Sequence, residues 1–294
     1  MEHLQEAIER ARQQREGAIG RTPKLDKKPD EGLAPALKRA LRPSDSTAPE
    51  KRKAYAASKR DRKNLPSPSQ VKYTTTRILK PDADILSRNR VIAGDSRDPR
   101  VESYRQLRSQ VLDDMKRNGL TSLAITGANE SAGKTLTAVN LAISISQEVN
   151  QTVLLVDLDL RAPSVHTTLG IEVELGIIDH LVHGEPIEKI LVNPGYPRLV
   201  VLPGLPQEHQ VSEVLSSPEM KLLLSDIVGR YPDRIIIFDL PPLLRNDDAM
   251  VFAPNADACL LVFEAGVTTP DEIKRSMQLL KHSRILGTVL NKAR

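Results

Sequence analysis

A second cysteine is missing from this chain. Cys259 stands alone, so an intramolecular disulfide framework is excluded, and a reducing compartment fits. Set in the apolar run "ACLLVF", its thiol is expected to pack as a small buried hydrophobe. Long apolar runs are missing too. No stretch approaches the ~18–20 residues that span a bilayer, and the opening "MEHLQEAIERARQQRE" is too polar for a secretory leader. Membrane contact is therefore expected to be peripheral, or made through a partner. No internal repeat is visible.

Charge is present in both signs but unevenly spread. Residues 1–100 carry 24 Lys and Arg against 14 Asp and Glu, whereas the remainder has 18 against 24. A basic arm on an acidic body is the simplest picture. Such an arm suits anionic lipid headgroups or nucleic acid, and solvated linker charge explains it equally well. Residues 1–20 hold a short amphipathic helix, in which Leu4, Ala7, Ile8 and Ala11 form one stripe over 3–16. Residues 21–70 are rich in Pro, Lys, Arg, Ser and Asp, and are expected to be a disordered basic linker. The folded part is placed at 71–294, beginning with the β-prone "VKYTTTRIL".

From Val101 the texture changes. "TSLAIT", "TVLLVD", "RLVVLP", "RIIIFD", "ACLLVF" and "ILGTVL" are short apolar runs. Helical patterns at 133–148, 210–230 and 270–283 separate most of them. That alternation predicts an α/β fold with a doubly wound, mostly parallel sheet. Ligands of such sheets bind beyond the carboxyl ends of the strands.

Chemistry is concentrated there. "SLAIT", "GANESAGKT" and an ensuing helix form a strand, a turn and a helix in order. Backbone N–H groups of such a turn attract phosphate oxygens. Lys134 is placed to reach the β- and γ-phosphates, and the Thr135 hydroxyl to ligate Mg²⁺. The usual first glycine of this phosphate loop is replaced by Ala128. "LLVDLDLRAPSVH" puts Asp157 and Asp159 at a second strand end, where alternation along the strand points both to the same face. "RIIIFDLPP" puts Asp239 at a third. Carboxylates so placed hold a hydrated cation or accept a proton. Singly, each is also what an ordinary strand end or helix cap would carry.

Together these motifs resemble the bacterial tyrosine kinases of capsule and exopolysaccharide synthesis, which belong with the MinD/ParA-like phosphate-loop ATPases. The resemblance covers about residues 90–294. It rests on "GANESAGKT" as Walker A, "VDLDLRAPSVH" as the additional Walker A′ motif, "FDLPP" as Walker B, and "ESYRQLR" upstream. It implies a P-loop NTPase fold and the use of ATP with Mg²⁺. Asn129, Glu130, Ser131, Ala132, Gly133, Lys134, Thr135 and Leu136 would then cradle nucleotide, with Asn291 against the adenine. Lys134, Asp157 and Asp239 would be catalytic, Asp157 activating the attacking tyrosine. Thr135, Asp159 and Asp239 would surround the metal.

Glu102, Arg105 and Arg108 match the family's E-x-x-R-x-x-R pattern, which implies subunit contact in a homo-oligomeric ring. The implied partner is a membrane polysaccharide co-polymerase or chain-length determinant, met at the cytoplasmic face of the inner membrane. No nucleic acid partner is implied.

Two departures stand out. The signature lysine of the MinD/ParA-like partition ATPases is replaced by Asn129, and the family's tyrosine-rich tail has no counterpart before Arg294. Only Tyr55, Tyr73, Tyr104, Tyr196 and Tyr231 are available, with Tyr55 and Tyr73 in or beside the arm. The long arm is similar to that of kinase-like proteins encoded with exosortase-linked systems. Besides a tyrosine autokinase, two alternatives remain: a nucleotide-dependent assembly switch that only hydrolyses ATP, and a scaffold with a decayed site.

Overall fold

The structure, a computed structural model, describes residues 76–230 and 234–293. The helix expected at 3–16, the linker of 21–70, and Tyr55, Tyr73 and Tyr231 lie outside the described residues.

All six expected strands form. They are β2 (Ser122–Gly127), β3 (Thr152–Asp157), β5 (Leu199–Leu202), β6 (Arg234–Asp239), β7 (Ala258–Glu264) and β8 (Ile285–Asn291). Two two-residue strands, β1 (Arg77–Ile78) and β4 (Val192–Asn193), extend one edge. The order is β1-β4-β5-β3-β6-β2-β7-β8. Every pairing is parallel except the antiparallel contact of β4 with β5. Central strands read as unbroken apolar runs because both faces are covered.

Alternate residues feed two cores. Leu123, Ile125, Val153, Leu155, Ile235 and Ile237 face α2 (Val101–Asn118) and α3 (Lys134–Ser146). Ala124, Leu154, Val156, Ile236, Phe238 and Cys259 face the opposite layer. That layer includes α7 (Val211–Ser216), α8 (Pro218–Arg230), α9 (Asp248–Phe252) and α10 (Pro270–Leu279). Cys259 is buried as expected, and burial pushes its thiol pKa up to about 12.

The single helix expected at 210–230 is two helices. Ser217 takes an extended conformation, with ψ 157°, because a residue preceding proline is driven out of the helical region; Pro218 then opens α8.

Helix α3 is buried almost throughout, which accounts for its lack of a polar face. Its Asn140 is fully buried and uses both ends of its amide. Oδ1 accepts from the backbone N–H groups of Ile92 and Ala93 at 2.8 and 2.9 Å, and Nδ2 donates to the carbonyls of Arg90 and Leu136. Asn140→Ala strands these backbone groups in the interior, so a loss of about 2–4 kcal/mol is expected. Urea unfolding should show it as a lower midpoint at unchanged slope.

Candidate active site

Strands β3, β6 and β2 are adjacent, and their carboxyl ends coincide. Asp157 is the register partner of Asp239, and Ile125, two residues before the phosphate loop, is the other neighbour of Asp239. The three motifs therefore meet at one point by sheet pairing alone.

The phosphate loop is shaped by two glycines. Gly127 ends β2, where a Cβ would strike the carbonyl oxygen of Val262. Ala128 is fully buried in the core, so the missing first glycine is replaced by a packing residue. Gly133 is left-handed, with φ 94°, and a Cβ there would strike the Asn291 amide. That amide donates to the Ala132 carbonyl at 2.8 Å. Asn291 thus lies against the loop at the end of β8.

Lys134 opens α3 and is buried. Its ammonium donates to the Asn129 carbonyl at 3.2 Å. Burial lowers its pKa, while the charges of Asp239, Asp159 and Glu130 oppose that shift. The Thr135 hydroxyl donates to Asp239 Oδ2 at 2.6 Å and accepts from the Ser164 hydroxyl at 3.1 Å.

Asp157 is wholly buried at the start of α4 (Val165–Leu169). Its Oδ2 accepts from the N–H groups of Ser164 and Val165, both at 2.9 Å, and Oδ1 from that of Asp159 at 3.2 Å. Burial raises its pKa to about 7 against these hydrogen bonds, with help from the charge of Asp159. Burial and the neighbouring Asp157 raise that of Asp239 well above the carboxylate range.

One expectation needs correction. Strand β3 stops at Asp157, so Asp159 does not share a strand face with it. Asp159 instead lies in a turn, accepting from the Ala162 N–H at 3.3 Å, and is less buried.

The site fits a small hard cation. Asp239 Oδ1 is buried and has no hydrogen-bond partner, a costly state for a carboxylate oxygen that a cation would relieve. Among the described residues no group of three acidic, His or Cys side chains could hold a metal alone. Mg²⁺ takes few protein ligands and completes its shell with phosphates and water.

Glu102, Arg105 and Arg108 do share α2, and Arg108 meets α3 at Ser144, about 15 Å of helix rise beyond Lys134. Arg108 turns inward, donating to the Ser144 carbonyl at 3.1 Å and pairing with Glu148 at 3.0 Å. Glu102 and Arg105 pair weakly with each other, at 3.5 Å, on the surface. Tyr104 and Tyr196 are both partly buried, and burial raises the pKa of each, against the influence of Asn140 and Thr137 in the case of Tyr104.

Comparison with known proteins matches this geometry. The family model of the AAA domain covers residues 122–271. The tyrosine-protein kinase YwqD of Bacillus subtilis is 31% identical over 208 residues, which are 70% of this chain and 86% of the relative. This chain belongs to the bacterial tyrosine-protein kinase family. The tyrosine-protein kinase etk of Escherichia coli is 32% identical over 196 residues, covering 66% of this chain but only 27% of that longer protein. The solved kinase domain of ETK superposes with a TM-score of 0.63 at 30% identity, covering 69% of this chain and 82% of that one.

In this tyrosine kinase several contacts around the loop escape sequence reasoning. Asn129 donates from Nδ2 to Glu272 at 2.9 Å, tying the loop to the cap of α10, and Glu130 is ion-paired with Arg245. Arg161 of the A′ motif pairs with Asp248 of α9. The partners are 143, 115 and 87 residues apart, so no local pattern announces them.

Proposed function

We propose that this chain is an ATP- and Mg²⁺-dependent protein-tyrosine kinase that regulates exopolysaccharide polymerisation or export. The observation that supports it best is the convergence of Lys134, Thr135, Asp157 and Asp239 at three adjacent strand ends. Phosphoryl transfer asks for little more than positioning and charge neutralisation.

The loop from Asn129 to Leu136 would hold the phosphates and Asn291 the adenine. Thr135, Asp159 and Asp239 would hold Mg²⁺, which when bound supplies positive charge beside the β- and γ-phosphates. Asp157, with its pKa near 7, takes the proton from a tyrosine hydroxyl. The phenolic oxygen bonds to the γ-phosphorus as the bond to the bridging oxygen breaks, leaving ADP. Lys134 neutralises the charge that develops.

A membrane polysaccharide co-polymerase is the proposed partner, met at the cytoplasmic face of the inner membrane, with the basic arm adding attraction for anionic lipid. Subunits would assemble through Glu102 and Arg105. On this reading Glu102→Ala with Arg105→Ala lowers the oligomer mass in sedimentation while nucleotide binding persists.

The deciding experiment is incubation with γ-labelled ATP. Label on protein tyrosine supports the kinase. Free phosphate without phosphotyrosine supports instead an ATP-hydrolysing assembly switch, and sinks the kinase reading.

A further inference from the structure

The A′ turn that carries Asp159 is held to the rest of the molecule at three places. Asp157 grips Ser164 and Val165 at its far end. The Gln207 N–H donates to the Leu160 carbonyl at 2.8 Å. Between them, the Arg161 guanidinium forks onto Asp248, with Nε to Oδ2 at 2.6 Å and Nη2 to Oδ1 at 3.2 Å. The two ends of this fork differ sharply in environment: the Asp248 side chain is 1% exposed and that of Arg161 37%.

Asp248 is itself located from both sides. The Ser212 hydroxyl lies 2.5 Å from its Oδ1, and its own N–H donates to Asn246. A carboxylate this deeply buried needs its cation. Its grip on the guanidinium is bidentate, which fixes orientation as well as distance.

The position of Arg161 decides what this grip does. Asp159 is two residues earlier, and its carboxylate is oriented by one hydrogen bond, from Ala162, the residue after Arg161. The Ala162 N–H also closes the turn onto the Asp159 carbonyl at 3.1 Å. Whatever holds Arg161 therefore holds the donor that aims Asp159 toward Lys134.

We propose that Asp248 is a positioning residue: through Arg161 it sets the turn that presents Asp159 to Mg²⁺-bound nucleotide. This rests on the kinase reading above. It places part of the metal site's organisation on α9 and α7, outside all three nucleotide-binding motifs. A merely structural ion pair would support folding without distinguishing metal-bound from metal-free nucleotide.

The test uses the whole chain and compares ADP affinity in Mg²⁺ with that in EDTA, by titration calorimetry. Arg161→Lys keeps the charge but cannot span both carboxylate oxygens, and Asp248→Asn keeps the shape but not the charge. Each is expected to weaken Mg²⁺·ADP about tenfold and to leave ADP in EDTA within about twofold. Thermal melting confirms that each variant is folded; should Asp248→Asn not fold, Arg161→Lys decides. An unchanged Mg²⁺·ADP affinity, or equal weakening with and without Mg²⁺, overturns the proposal and leaves the kinase reading intact. Wild-type protein that gained no ADP affinity from Mg²⁺ would overturn both.

Discussion

Lys134→Met is expected to reduce phosphate transfer to tyrosine by at least about a thousandfold, equivalent to about 4 kcal/mol of transition-state stabilisation. The reason lies in what surrounds the ammonium. Burial lowers its pKa, the charges of Asp239, Asp159 and Glu130 oppose that shift, and it is bonded to the Asn129 carbonyl inside the phosphate loop. Methionine keeps the unbranched apolar stem, one atom shorter, and leaves the loop backbone in place, so Gly133 and Asn291 should keep their contact. What disappears is the one cation the chain supplies at the start of α3, on a helix end whose N–H groups cannot match a full charge. The measurement is γ-labelled ATP transfer, with melting as the control for folding. Full transfer by a folded Lys134→Met protein would falsify the assignment of this loop as the catalytic centre.

Much of this architecture is legible in the sequence because burial on both faces leaves a continuous apolar run with an acid at its end. "TVLLVD" and "RIIIFD" are legible as strands ending in an acid, while their pairing, seen only in the structure, brings Asp157 and Asp239 side by side. The two-residue strands β1 and β4 are too short to have any period. The break at Ser217 was marked by Pro218, but the apolar pattern ran across it and suggested one helix. Asp159 was assigned to the face of Asp157 by extending an alternation past the last strand residue. Arg108 was grouped with Glu102 and Arg105 by spacing, although only the packing of α2 on α3 shows it gripping Ser144 and Glu148. The supports of the site, Arg161 on Asp248 and Asn129 on Glu272, depend on which distant loops the sheet order brings together. That information is not local, and no periodicity contains it.

Asp157→Asn should separate chemistry from stability. Through its one oxygen the amide can still accept from Ser164 and Val165, losing only the longer bond from the Asp159 N–H, but it cannot take a proton. Transfer to tyrosine is expected to fall by about a hundred- to a thousandfold while nucleotide remains bound. Stability should move the other way. An Asp with its folded pKa raised to about 7 binds its proton more tightly in the folded state than in the unfolded chain. Its contribution is therefore greatest at low pH and is lost as pH rises from about 4 to about 7. Above that window, burying the ionised carboxylate costs at most about 4 kcal/mol, at about 1.4 kcal/mol per pH unit.

Asparagine carries no such cost. In the absence of nucleotide and Mg²⁺, Asp157→Asn is thus expected to be more stable than wild type at pH 8, and the advantage should shrink by about 2–3 kcal/mol at pH 5. Asp239 adds to the effect in the same direction, because the neighbouring charge that opposes its ionisation is gone. Paired urea titrations at the two pH values measure the difference. An advantage that stayed constant with pH would show that folding does not raise the Asp157 pKa, and would leave its carboxylate a weak base poorly matched to the tyrosine proton.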